Sequence, residues 1–197
     1  RKHTPEETSG ARSYEDRRNA ERDRQAEQSL AGRDIGPLPE VVNPDRKAAC
    51  ERNFQLFCES YFPETYALAW SPDHLKVIEK IETAVLRGGL FALALPRGSG
   101  KTTITESAAL WSMLYGHREF VVLIGATESA ALELLDSLKT ELEVNERLAE
   151  DFPEVCYPVA QLEGIANRCA GQLYKGERTR ITWTSNEIVL PTVEGSR

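Results

Sequence analysis

Soft metal ligands are scarce in this chain: it has only 3 His and 4 Cys. The cysteines, Cys50, Cys58, Cys156 and Cys169, show no metal-ligand spacing, and no His-rich partner lies near them. A zinc module is therefore excluded, and reduced thiols in a cytosolic protein are expected. No apolar run is long enough to span a bilayer, which argues against a membrane protein or a membrane partner. No signal-peptide pattern is visible, while Arg1 in place of a methionine implies that the natural start lies elsewhere. Positive charge is also short, with 24 Lys+Arg against 31 Asp+Glu and a net charge of −7. That balance excludes a generally basic nucleic-acid coat, so any DNA contact must be local.

What is present suffices for one substantial core, because 41% of the 197 residues are hydrophobic. The stretch Leu90-Phe91-Ala92-Leu93-Ala94-Leu95-Pro96-Arg97-Gly98-Ser99-Gly100-Lys101-Thr102-Thr103 carries most of the chemical information. An apolar run ends in a glycine-rich turn, and a helical pattern follows. This is the strand–loop–helix layout of a triphosphate-binding P-loop. Gly98 and Gly100 let successive N–H groups face an anion, and the helix from Lys101 aims its positive dipole end at the same point. Lys101 is expected to neutralise the outer phosphates, and the Thr102 hydroxyl to ligate magnesium. The consensus glycine six places before the lysine is replaced by Leu95. Downstream, Ile104, Ala108, Trp111 and Leu114/Tyr115 recur at helical spacing, and Gly116 is placed to end the helix.

The chain divides near residue 45. Residues 1–34 hold eight Lys/Arg and eight Asp/Glu, with Tyr14 and Leu30 as the only large apolar side chains. Ser13 with Asp16 resembles a capping box, and Glu15/Arg18 and Glu21/Arg24 stand at helical pairing distance. The segment reads as a solvated helix or a disordered arm, and Gly32 to Pro44 as a stiff linker. Within 46–197, Phe54, Phe57 and Cys58 predict a helix ending before Pro63. A helix over about 72–87 carries Leu75, Ile78, Ile81 and Val85 on one face, with Gly88-Gly89 at its end. Residues 120–126 read as a second buried strand, and Thr127 caps a helix bearing Ala131, Leu134, Leu138 and Leu142. Two continuous apolar strands alternating with helices predict a parallel sheet covered on both faces. Asp151-Phe152-Pro153 reads as a turn, and Arg180–Trp183 with Glu187–Leu190 as an antiparallel hairpin near the sheet edge.

Taken together, these residues resemble the large terminase subunits of tailed bacteriophages, ATP-driven motors that package and cut DNA. The resemblance rests on 96–103 as a deviant Walker A motif and on Ile124-Gly125-Ala126-Thr127 running into an Ala/Leu-rich helix. It rests further on Asn145 through Asp151-Phe152-Pro153-Glu154 and on the hairpin ending Val189-Leu190-Pro191-Thr192. It covers roughly 54–197, and the arm at 1–45 matches nothing in the family. The implied fold is an α/β P-loop NTPase, a parallel sheet flanked by helices with the hairpin near its edge. The implied ligands are ATP and Mg2+. The implied partners are double-stranded DNA, a portal protein, a small terminase subunit and further copies in a ring, in the cytoplasm of an infected host.

Pro96, Arg97, Gly98, Ser99, Gly100, Lys101, Thr102 and Thr103 form the implied nucleotide site. Arg97 occupies the place of the family's Walker A arginine near the γ-phosphate, where a guanidinium stabilises charge on the phosphoryl oxygens. A surface arginine paired with a carboxylate is the alternative. His74 stands where the family often has a glutamine that reads adenine, and a plain helix-start histidine is the other reading. Arg168, Lys175, Arg178 and Arg180 against Glu177 alone form a local basic excess, for DNA phosphates or simply for solvent. Trp183 is expected to pack rather than to stack on bases. No second apolar strand ends in Asp: Leu132–Asp136 has helical spacing, and Ile188-Val189-Leu190 runs into Pro191. The chain is thus expected to be a piece ending before the Walker B strand and the nuclease, able at most to bind nucleotide. Another P-loop translocase or helicase-like ATPase, or a non-catalytic interaction module with a vestigial loop, are the competing readings.

Overall fold

A computed structural model describes residues 16–25 and 33–193. Residues 16–25 form helix α1, exposed along its whole length, as expected of a segment without an apolar stripe. The capping box at Ser13 and the remainder of the arm lie outside the described residues.

Side-chain caps set the boundaries of most of the helices that follow. Asn43 accepts from the Arg46 amide and Pro44 fills the first turn of α2 (Pro44–Cys50). Asn53 caps α3 (Phe54–Tyr61), and Ser71 caps α4 (Pro72–Arg87), which ends at Gly88 with φ 88°. Helix α5 (Lys101–Leu114) follows the glycine-rich turn, and Thr127 caps α6 (Glu128–Val144). Asn145 then closes α6 and opens α7 (Glu146–Asp151) by accepting from the Leu148 amide. Helix α8 (Pro153–Ala160) and a 3-10 turn (Ala166–Gly171) lead into the short strands.

The core is a cluster of aromatic rings between α3, α5 and the α7–α8 junction. Phe54 meets Trp111 at 5.3 Å, Tyr61 meets Phe152 at 5.6 Å, and Phe152 meets Tyr115 at 5.1 Å between ring centroids. Trp111 is fully buried and its indole N–H donates to the Cys50 carbonyl at 2.9 Å, so no donor is stranded. Each such ring contributes about 1.5–3 kcal/mol by leaving water. On α4 the inward face is Val77, Ile78 and Ile81, while Leu75 remains 43% exposed, one turn away from the face its spacing predicted.

The predicted α/β fold is not what forms. Helix makes up 54% of the described residues, and among them the only sheets are two antiparallel pairs, with no parallel sheet. Strand β1 (Leu173–Tyr174) pairs with β2 (Glu177–Arg178), and β3 (Thr182–Trp183) with β4 (Ile188–Val189). The β3–β4 hairpin lies within the predicted Arg180–Trp183 and Glu187–Leu190 pair, but it borders no larger sheet among the described residues. Residues 90–95 and 120–124 take no regular secondary structure and pair with no strand among the described residues. Leu90 is 101% exposed and Ile124 87%. Leu95, Val121 and Leu123 are partly buried against the core, but an apolar run becomes a strand only when neighbours also supply ladder partners, and the described residues supply none.

The expected linker is a docked strap. The Leu173 amide donates to the Arg33 carbonyl and the Ile35 amide to the Leu173 carbonyl, both at 2.9 Å, which places Asp34 in a parallel bridge with Leu173. The Asp34 carboxylate accepts from the Gly36 and Gly176 amides, and these bonds hold its pKa below the ordinary carboxylate value. Further along, the Val42 amide donates to the Glu150 carbonyl, tying the strap to α7.

A candidate phosphate-binding loop

The loop at 96–103 is shaped by its glycines. Gly98 (φ 79°) and Gly100 (φ 72°) both take the left-handed conformation that other residues avoid, and nothing lies within 4 Å of where a Cβ would stand on either. Gly100 opens α5 and, having no side chain, leaves that helix without a side-chain cap. The first intrahelical bond there runs from the Ile104 amide to the Gly100 carbonyl. The amides of Lys101, Thr102 and Thr103 are therefore uncommitted at the positive end of a 14-residue helix.

Charged and hydroxyl groups gather at this end. Lys101 Nζ donates to the Leu95 carbonyl at 2.6 Å and to the Pro96 carbonyl at 2.7 Å. An ammonium has three donors, so one remains for an outside acceptor. Ser99 Oγ donates to the Pro96 carbonyl at 2.8 Å, closing the turn upon itself. Arg97 is exposed, and no carboxylate forms an ion pair with it among the described residues. The paired surface arginine considered from the sequence is thus not what is seen. Thr105 spends its hydroxyl on the Lys101 carbonyl, whereas the exposed Thr102 hydroxyl makes no such bond. A free hydroxyl in the first turn fits the ligand that Mg2+ requires beside phosphate oxygens.

His74, in the first turn of α4, reaches this loop. Its Nε2 lies 3.0 Å from the Ser99 carbonyl oxygen and its Nδ1 lies 3.2 Å from Ser71 Oγ. The Trp70 ring stands edge-on to it at 6.0 Å, and Tyr66 lies beside Trp70 at 5.0 Å. The resemblance implied a place near an adenine, with a plain helix-start histidine as the other reading; the structure puts the ring against the 96–103 loop.

The basic excess near the end of the chain is partly spent. Arg168 pairs with Glu163 at 2.6 Å, and Lys175 Nζ lies over the Tyr174 ring at 5.1 Å. Trp183 is buried, donates to Glu143 Oε1 at 2.9 Å and carries Lys139 over its ring, so it packs. Nothing in the sequence signalled the most elaborate polar cluster among the described residues, around Asp151 at the end of α7. That carboxylate has zero exposure and accepts from Tyr61 Oη at 2.7 Å, Arg46 Nε at 2.6 Å and the Asn43 amide at 3.1 Å.

Among the described residues no helix is long and apolar enough to cross a membrane. No family model, curated protein or solved structure matches the chain.

Proposed function

We propose that residues 96–103 bind the polyphosphate of ATP with Mg2+, and that the chain is the ATP-binding part of a viral DNA-packaging motor of the terminase large-subunit type. The observation that carries the phosphate reading is the uncapped first turn of α5. Its free amides, the spare donor of Lys101 and the guanidinium of Arg97, which has no ion-pair partner among the described residues, all belong to residues 97–103, where Gly98 and Gly100 leave open space for an anion. Thr102 supplies the hydroxyl for the metal. The reading needs a helix N-terminus and a loop, and it does not depend on a parallel sheet.

The motor assignment rests on the order of the motifs along the chain: loop, Thr127-capped helix, Asp151-Phe152-Pro153 and hairpin. In that assignment the chain works inside an infected host cell, with double-stranded DNA, portal protein, small subunit and further copies of itself as partners. Hydrolysis belongs to the assembled motor, and the chain alone binds nucleotide without turning it over.

Titration calorimetry with Mg-ATP tests the phosphate reading. The parent chain is expected to bind and Lys101→Ala to lose binding while keeping its circular dichroism. Equal affinity in the two proteins overturns the assignment.

A further inference from the structure

We propose that His74 is a latch that holds the phosphate loop in its anion-accepting shape, acting on the polyphosphate end of the ligand rather than on its base. This rests on the phosphate reading above and deepens it.

The argument starts from the acceptor. A carbonyl oxygen cannot donate, so the 3.0 Å contact between His74 Nε2 and the Ser99 carbonyl requires the proton on Nε2. In a neutral imidazole, Nδ1 is then an acceptor and takes the Ser71 hydroxyl proton at 3.2 Å. Ser71 Oγ in turn accepts from the His74 amide at 3.3 Å as the cap of α4. One serine thus caps the helix and fixes the ring's tautomer, and the ring fixes the loop. Both ring nitrogens are engaged, leaving neither to read an adenine edge.

The bond lands at a sensitive place. Ser99 lies between the two left-handed glycines, and its own hydroxyl bonds the Pro96 carbonyl, one of the two acceptors of Lys101. Pinning the Ser99 carbonyl outward to α4 directs the peptide unit between Ser99 and Gly100, the last one before the free amides of α5. Without the pin, two glycines flanking one serine have wide backbone freedom, and that freedom opposes binding of an anion to ordered amides.

A base-free probe separates the latch from a base reader. Inorganic tripolyphosphate with Mg2+ is titrated into the parent chain, His74→Phe and His74→Gln. The latch predicts roughly tenfold weaker tripolyphosphate binding for His74→Phe, which keeps a ring but has no donor. It also predicts substantial rescue by His74→Gln, whose amide N–H can serve the same carbonyl. Unchanged tripolyphosphate affinity in His74→Phe, with ATP binding alone weakened, overturns the latch in favour of base recognition. Should the parent not bind tripolyphosphate, the phosphate reading falls and the latch's function falls with it. Ring nitrogen NMR on the parent adds a readout that requires no ligand: a protonated Nε2 is expected, and an unprotonated Nε2 overturns the proposal.

Discussion

Arg46 and Asp151 meet 2.6 Å apart across the seam between α2 and α7, with the carboxylate wholly removed from solvent. Arg46 also bonds Glu150 at 2.7 Å, and the Asp151 bond is the main reason its pKa is raised. A buried charge held by three donors is costly to expose and more costly to orphan. Asp151→Ala removes the acceptor and strands the Arg46 and Tyr61 donors. The expected loss is about 3–5 kcal/mol of unfolding free energy, read from urea denaturation with an unchanged slope. A loss below about 1 kcal/mol contradicts the structural role given to this cluster.

In the proposed reading, Arg97 separates binding from chemistry. The backbone amides and Lys101 would build the cradle without it, and it has no ion-pair partner among the described residues to lose. If the chain is part of the proposed packaging motor, Arg97→Ala in the assembled motor is expected to leave ATP affinity within a few-fold while turnover falls by roughly 10³–10⁵, the range of arginine fingers. Arg97→Lys should rescue poorly, because an ammonium lacks the planar fork. Steady-state ATPase rates beside nucleotide titrations decide it, and turnover within threefold of parent removes the catalytic role.

Alkaline pH should unfold the domain through its tyrosines. Burial raises the pKa of Tyr61, Tyr66 and Tyr115 above the ordinary 10.0, reinforced at Tyr61 by its bond to Asp151. Above about pH 10 the unfolded chain releases phenolic protons that the native state retains, so stability is full below that pH and declines as pH rises beyond it. Thermal midpoints between pH 9 and 11.5 are expected to fall steeply, and Tyr66→Phe to flatten the decline. A flat profile contradicts the burial of these phenols.

The strap makes a prediction about truncation. Deleting residues 1–25 removes an exposed helix and should leave the thermal midpoint nearly unchanged. Deleting 1–36 also removes Asp34 and Ile35, whose bonds reach Leu173, Tyr157 and Gly176, and should lower the midpoint by several degrees. Equal midpoints for the two truncations mean that the strap contributes nothing.

The helices were legible in the sequence because their signals are local. Ser71 and Thr127 cap from three residues away, Gly88 ends α4, and the spacing of Ile104, Ala108 and Trp111 defines the buried face of α5. The glycine-rich turn at 97–100 leading into α5 was legible for the same reason. The strands were not, since Leu90 or Ile124 in an apolar run says that something must cover it and not what does. Asp151 was read as part of a turn and of a terminase-like stretch but not as a buried acceptor, for its partners Asn43, Arg46 and Tyr61 are at least 90 positions away. His74 was placed by analogy at the base, and only its contact with the Ser99 carbonyl tied it to the loop instead.

Asp34 and Gly176 are 142 positions apart in the chain and bonded in the fold. On a ribosome adding about 5–20 residues per second, the strap waits roughly ten seconds after its own synthesis before its last bonding partner exists. The helices of the aromatic core all lie between these two positions, so they can assemble during that interval without it. The strap is therefore made early and seated late.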